Sequence, residues 1–245
     1  HLPVWQALRN EFQSTGFELV TVGLDTLGAE GCRASIEAAN PDHPSLIDQH
    51  HVMADLFGVV NIPESIWINE EGMIVRPAEA APPPPVDGTT PSMEAPPELP
   101  ARMMEIMGEA GKIESDPDAY HHALKDWIEK GTESEFALDE QTVIERSRPR
   151  DLNKSLGHAH FELASHLEST GNHELAIKHF REAHRLVPES WTFRRQAWSL
   201  EPVGDGPFAR FWQGPSPDKD WPYEGDWLTD IRREGPSNYY THWEK

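Results

Sequence analysis

A proline-rich stretch near the middle of the chain constrains the fold more than any other feature. Residues 77–100 include four consecutive prolines at 82–85 and almost no large apolar side chains. Such a segment cannot bury enough apolar surface to form a core, and successive prolines favour an extended conformation. The sequence therefore predicts a linker or surface excursion at 77–100, with a separate apolar unit on either side.

Composition and charge exclude several classes of protein. A length of 245 residues is enough for two small domains, and no run of eighteen apolar residues that could span a membrane occurs. The formal charge of -21 argues against nucleic acid as a partner, because phosphate binding needs clustered lysine and arginine. The single cysteine, Cys32, excludes an intrachain disulfide, a CxxC pair and a thiolate zinc cluster.

The segment before the proline-rich stretch alternates between helical and strand patterns. Apolar residues at helical spacing, short β-branched runs and glycine or proline breaks mark its elements. The predicted elements are a helix over 3–15, a strand over 17–25, and helices over 31–40 and 52–57. Two apolar runs at 62–69 and 73–76, separated by a turn that contains Gly72, predict a β-hairpin.

Two parts of this segment resemble the thioredoxin-like redoxins, a group that includes alkyl hydroperoxide reductase relatives and thiol-disulfide reductases of cytochrome maturation. The run LPVWQALRNEFQSTGFELVTVGLD, residues 2–25, is similar to the first helix and second strand of that family. The hairpin matches the family's late motif at Val59, Pro63, Ile66, Trp67, Gly72, Ile74 and Val75. The resemblance implies an α/β thioredoxin-like domain over residues 1–76, incomplete at its N-terminus.

The resemblance also implies a substrate groove beside Pro63. In the family this proline follows a cis peptide bond, which costs only about 0.5–1 kcal/mol before proline. The backbone of Ile62 would then pair with an extended substrate, whereas the alternative is a trans proline that opens an edge strand. The family's nucleophilic cysteine or selenocysteine lies after the first strand, at a helix N-terminus that lowers a thiol pKa. That catalytic position is expected before His1, so we expect a fragment rather than a degenerate domain.

Cys32 is the one thiol that the chain itself offers. It follows the loop at 25–31 near a predicted helix start, which makes it a weak redox candidate that needs a partner thiol from elsewhere. It does not lie at the family's nucleophile position. A half-buried helical cysteine without chemistry is therefore the favoured interpretation.

Thirteen histidines raise the question of a metal site. The doublets His50-His51, with His43 nearby, and His121-His122 point their side chains to different faces, and no HExxH or CxxC spacing occurs. We therefore expect surface histidines, no metal site and no other cofactor. His158 and His160 receive the same interpretation.

The part after the proline-rich stretch is predicted to be helical. Residues 101–150 contain a helix over 116–131, which is a candidate for the closing helix of the first domain. Residues 151–200 contain a helical pair and a following helix at 191–198. Residues 201–245, rich in Trp, Tyr, Pro and Gly, are predicted to form an irregular tail that wraps over a surface.

The helical pair at 157–190 resembles a single tetratricopeptide repeat. The matching positions are Leu163, Ala164, Gly171, Ala176, Phe180, Ala183 and Pro188. His160 departs from the pattern, because the family prefers a tryptophan or a similar large apolar residue there. One repeat cannot bury its own faces, so packing against neighbouring helices and binding of a protein partner both stay open.

Two hypotheses for function follow from these resemblances. The first is a thiol-disulfide oxidoreductase or thiol peroxidase-like redoxin that acts on a thiol or disulfide protein or on a peroxide, with its nucleophile upstream of His1. The second is a non-catalytic scaffold that combines the thioredoxin-like and tetratricopeptide-like parts for protein recognition. The sequence leaves the compartment open between cytoplasmic and exported.

Overall fold

The protein is described by a computed structural model that covers residues 2–82, 101–147, 150–201, 214–215 and 220–241. It divides into two compact units. Unit 1 takes the described residues within His1–Glu94 and Ser115–Arg148, and unit 2 those within Ala95–Glu114 and Pro149–Thr241. Most of the predicted linker, and the tail tryptophans Trp212 and Trp243, lie outside the described residues.

Each unit has its own set of secondary-structure elements. Those of unit 1 are α1 (Leu2–Phe12), β1 (Thr21–Leu24), α2 (Ala29–Ala39), β2 (Ser45–Asp48), α3 (Val52–Phe57), β3 (Glu64–Ile68), β4 (Ile74–Ala80), α5 (Pro117–Lys130) and α6 (Glu140–Arg146). Those of unit 2 are α4 (Ala101–Ala110), α7 (Leu152–Ser169), α8 (His173–Leu186), α9 (Trp191–Ser199) and α10 (Trp227–Glu234).

Unit 1 contains two separate two-stranded sheets. Strands β1 and β2 are parallel, with Thr21 opposite Ser45, and β3 and β4 form the predicted antiparallel hairpin, with Trp67 opposite Arg76. The hairpin turn is closed by Asn69, whose side-chain oxygen accepts a hydrogen bond from the Met73 N–H at 2.8 Å. The helix–strand–helix order is therefore as predicted, but the structure adds the strand β2.

The core of unit 1 forms where the hairpin meets α1 and α5. Its buried apolar residues are Leu8, Phe12, Trp67, Val75, Ala81, Tyr120, Ala123, Leu124 and Phe136. The Trp67 ring stacks on Trp127 with centroids 5.0 Å apart, and Tyr120 meets Trp67 edge-on. Helix α5 begins at the predicted cap, where the Asp116 carboxylate accepts a hydrogen bond from the Ala119 N–H.

A buried ion network lies beside this apolar core. The Arg76 guanidinium donates to the Glu79 carboxylate and to the Phe136 carbonyl, each at 2.8 Å, and lies 5.5 Å from the Trp67 ring centroid. Glu79 also accepts a hydrogen bond from Arg146 at the end of α6. Arg76 and Glu79 are 1% and 4% exposed. Because water hardly reaches either charge, each charge is stabilised by its partner in the network. The network joins the hairpin to the segment that follows α5.

The structure corrects the predicted start of the linker. Strand β4 extends to Ala80, four residues into the predicted segment 77–100. It continues because Glu79 is held in the ion network and Ala80 lies opposite Glu64 in the hairpin register. Strand pairing and side-chain burial therefore carry β4 through Pro77, although proline on its own favours the end of a strand.

Breaking the Arg76 network is expected to destabilise unit 1. Arg76→Met leaves Glu79 buried with one partner fewer, and loss of a buried ion-pair partner typically costs about 3–5 kcal/mol. Adding Glu79→Leu to that variant is expected to restore part of the loss, because it removes the uncompensated carboxylate. Urea denaturation followed by tryptophan fluorescence measures the free energy of unfolding.

The exposed pair of Arg33 and Glu37 is the matched control, with side chains 65% and 68% exposed. Arg33→Met is expected to change the free energy of unfolding by less than about 0.5 kcal/mol. Equal losses in Arg33→Met and Arg76→Met would contradict a special role for the buried network.

Unit 2 is built on the antiparallel pair of α7 and α8. Ala164, Ala176 and Ala183 are fully buried between these helices, as the small-residue pattern predicts. Gly157 permits the close approach, because a Cβ atom there would lie 2.3 Å from a methyl carbon of Val187. The predicted helix after the pair is α9, which packs on α7 through stacked Phe161 and Phe193 rings.

The structure also corrects the predicted tail. Residues 227–234 form a helix, α10, because the Asp226 carboxylate caps its N-terminus through the Thr229 N–H and its apolar residues are buried. The same carboxylate accepts a hydrogen bond from Arg102 of α4 at 2.8 Å. The tail thus supplies a core element of unit 2, in addition to irregular segments.

Helix α10 also neutralises a buried cation on α9. Arg194 is 1% exposed, forms ion pairs with Asp230 and Glu234 at 3.3 and 3.1 Å, and lies 4.9 Å from the Trp191 ring centroid. Burial lowers the pKa of Arg194 and raises that of Asp230, and their mutual attraction opposes both shifts. Removing α10 would leave the Arg194 charge without these two carboxylates.

His184 on α8 is expected to make the stability of unit 2 depend on pH. Burial, with a smaller contribution from the Arg194 charge, lowers the His184 pKa from 6.5 to about 3. The unfolded chain therefore binds one more proton between these values, and stability falls as pH drops below 6.5. The loss is at most about 1.4 kcal/mol for each pH unit. His184→Gln is expected to flatten this dependence when the free energy of unfolding is measured from pH 7.5 to 4.

His166→Gln is the matched control, since His166 is exposed on the neighbouring helix α7. It is expected to keep the wild-type slope of stability against pH. A His184→Gln protein with the same slope as wild type would show that other groups cause the acid sensitivity.

Candidate functional site

Ile62 and Pro63, the residues predicted to line a substrate groove, lie immediately before strand β3. The peptide bond between Ile62 and Pro63 is cis, as favoured from the sequence, and the Pro63 carbonyl accepts a hydrogen bond from the Ala81 N–H at 3.1 Å. The Ile62 side chain is 48% exposed. The Ile62 N–H already donates to the buried Asn61 side chain at 2.9 Å. In this conformation an extended ligand could therefore pair only with the Ile62 carbonyl.

The two sheets of unit 1 leave strand edges unpaired. Among the described strands, β1 pairs only with β2 and β3 only with β4, so no backbone ladder connects β1 to β3. Each of these two strands therefore has one edge without a neighbouring strand. Unpaired backbone N–H and C=O groups at such an edge are a template for another strand.

The parallel pair β1–β2 is also poorly covered on its faces. No residue of β1 is buried, and the apolar side chains of Val20, Leu46 and Ile47 are 49%, 48% and 37% exposed. Parallel strands normally occur in sheets that are covered on both faces. The β1–β2 pair therefore has apolar side chains of the kind found inside a covered sheet. Their exposure shows that the described residues do not cover the pair on both faces.

Cys32 lies on α2, facing strand β1. A Cβ atom added to Gly23 of β1 would lie 2.9 Å from the Cys32 sulfur, so the thiol fills the space that this glycine leaves. Burial raises the pKa of the Cys32 thiol, and the Asp25 charge raises it further. Both effects disfavour the thiolate, the form that attacks disulfides and peroxides. The geometry supports the interpretation of Cys32 as a packing residue.

Slow reaction of Cys32 with a thiol reagent is expected at pH 8. Asp25→Asn is expected to raise the labelling rate by about twofold or more, because it removes the charge that opposes thiolate formation. Glu37→Gln, an exposed substitution on the same helix, is expected to leave the rate unchanged. Labelling as fast in the native protein as in urea would contradict the packing role.

The structure corrects the prediction that the histidines lie on the surface. His43 and His51 are each 4% exposed. The two His43 ring nitrogens contact Gln6 and Thr21 at 3.1 and 3.2 Å, and burial lowers the His43 pKa. Within the described residues, no group of three or more His, Cys, Asp or Glu side chains is placed to hold a metal ion.

Sequence reasoning also missed a histidine pair in unit 2. His160 of α7 and His179 of α8 approach with their Nδ1 atoms 2.8 Å apart. The two residues are nineteen positions apart, so no local motif joins them. The helical periodicity of the sequence could have shown that both histidines lie where the two predicted helices pack together. It could not have shown that their rings meet.

The antiparallel pair of α7 and α8 leaves several leucines exposed. Leu152, Leu156 and Leu163 of α7 are 74%, 43% and 42% exposed, and Leu175 of α8 is 46% exposed. The α7 leucines recur at helical spacing on the side away from the buried Phe161. These three leucines of α7 are called the open leucine face.

Comparisons with known protein families, with curated protein sequences and with solved structures find no match to this chain. Across the part of the chain that the structure describes, no helix has the length and apolar character needed to cross a membrane.

Proposed function

We propose that this chain is part of a thioredoxin-like redoxin that reduces disulfides or peroxides, with its nucleophilic cysteine or selenocysteine upstream of residue 1. The observation that carries the proposal is the interruption between the two sheets of unit 1. In the family that the sequence resembles, the strand that leads to the nucleophile lies in the middle of the sheet. The unpaired edges of β1 and β3 are compatible with a missing central strand.

The proposed chemistry transfers two electrons from thiols to the substrate. With a disulfide, the thiolate attacks one sulfur and displaces the other as a thiolate, and a second thiol then resolves the mixed disulfide. With a hydroperoxide, the thiolate takes the terminal oxygen to form a sulfenic acid and releases an alcohol. A second thiol then condenses with the sulfenic acid to a disulfide and releases water.

The residues of this chain would contribute binding rather than bond-breaking. The exposed Ile62 side chain and its carbonyl lie beside Pro63, where an extended substrate would bind. Cys32 is not the nucleophile in this proposal, because its sulfur packs against Gly23 and because burial and the Asp25 charge raise its pKa. Substrate selection would therefore depend on the start of β3, and reactivity on the upstream turn.

The first test reads the gene upstream of the codon for His1, with any in-frame UGA considered as selenocysteine. A strand followed by a cysteine or selenocysteine motif is the expected result. The longer chain is then assayed for reduction of insulin disulfide and of an alkyl hydroperoxide with dithiothreitol as reductant. Replacing the upstream nucleophile is expected to lower the rate by at least about hundredfold.

Cys32→Ser in the longer chain is the matched control, and is expected to retain the wild-type rate. A start codon next to the codon for His1 would overturn the redoxin proposal. So would a longer chain that loses activity through Cys32→Ser but not through the upstream substitution.

A non-catalytic scaffold is the second candidate function, and the open leucine face of α7 favours it. Exposed leucines at 42% to 74% on one helix are a common basis for helix-in-groove recognition. If the gene has no upstream strand, this face is where a protein partner should be sought.

A further inference from the structure

The histidine pair of unit 2 brings two imidazole nitrogens together between α7 and α8. The Nδ1 atoms of His160 and His179 are 2.8 Å apart, whereas the ring centroids are 5.0 Å apart. Both nitrogens therefore point into one gap. One of the two nitrogens carries a proton and donates a hydrogen bond to the other, which two neutral rings can do. Moving that proton to the outer nitrogen of its ring leaves two lone pairs that face the same gap.

Helix packing holds the two backbones that carry these rings close together. His160 lies one turn before the fully buried Ala164, and His179 lies three residues after the fully buried Ala176. The backbones of α7 and α8 cannot separate there without opening this contact. The two ring nitrogens are thus held near each other before any ligand binds, which is the condition for a preorganised site.

We propose that His160 and His179 bind a divalent transition-metal ion of the zinc, nickel or copper class, which replaces the proton of their hydrogen bond. Imidazole nitrogen is a favoured ligand for these ions, and it binds them only in its neutral form. Zn–N bonds of 2.0–2.1 Å place two nitrogens of a tetrahedral site about 3.3 Å apart. The observed gap therefore needs to widen by only about half an ångström, which ring rotation supplies.

The surroundings supply no third ligand from the described His, Cys, Asp and Glu side chains. Glu182 follows His179 by one turn on α8, and its carboxylate binds Arg185 through both oxygens. The Arg185 hydrogen bond lowers the Glu182 pKa, and the His160 charge lowers it further. Both histidines are partly exposed, so water can complete the coordination shell. This inference is independent of the proposed redox function.

The test titrates zinc, nickel and copper chlorides separately into the purified chain, with thermal unfolding and calorimetry as readouts. A ligand that binds only the folded state raises the unfolding temperature. The metals are expected to stabilise the wild type, and His160→Gln and His179→Gln are each expected to weaken binding by at least about tenfold. His166→Gln, an exposed histidine on α7, is expected to bind as the wild type does.

Absence of metal-dependent stabilisation in the wild type would overturn the proposal and leave a structural hydrogen bond between the rings. Equal loss in His166→Gln would also overturn it, because the metal would then bind scattered surface histidines.

A second measurement needs no variant and covers the case in which a substitution prevents folding. Diethylpyrocarbonate modification of the wild-type chain, mapped by mass spectrometry with and without zinc, reports each histidine separately. Zinc is expected to protect His160 and His179 and to leave His166 reactive. Protection at His166 alone, or at no histidine, would contradict the proposed site.

Discussion

Unit 1 depends on the burial of one guanidinium group. Arg76 lies against Trp67 and donates to both Glu79 and the Phe136 carbonyl, so it connects the hairpin to the polypeptide that follows α5. A buried cation is tolerated only when its donors are satisfied. The position of β4, and with it the position of the β3 segment beside Pro63, is therefore coupled to a segment some sixty residues away in sequence.

The elements that the sequence predicted well are those with local signals. The hairpin follows from two apolar runs around Gly72, and α5 follows from Asp116 and its succeeding proline. Strand β2 was missed because its four residues show no repeated pattern of their own, and it forms by pairing with β1. Helix α10 was missed because its apolar residues lie among prolines, glycines and aromatic residues, where no helical period is evident.

The candidate site residues also divide into those with a local sequence signal and those without one. Ile62 and Pro63 could be singled out from sequence because they belong to a contiguous motif, and the structure places them together at the start of β3. The hydrogen bond that the Ile62 N–H donates to the Asn61 side-chain oxygen had no sequence signal. His160 and His179 were beyond sequence reasoning for a related reason, since their meeting depends on how two helices are rotated against each other.

The unpaired edge of β1 also bears on how the chain behaves in concentrated solution. Its exposed backbone and apolar flanks can add a strand from a second molecule, the first step of edge-to-edge aggregation. The net charge of -21 opposes this step through repulsion between molecules. Because salt shortens the range of that repulsion to about 8 Å at physiological ionic strength, the acidity of the chain protects it least where salt is high. The resistance of the chain to aggregation would then depend on its net charge, whereas the stability of its fold depends on the burial of side chains.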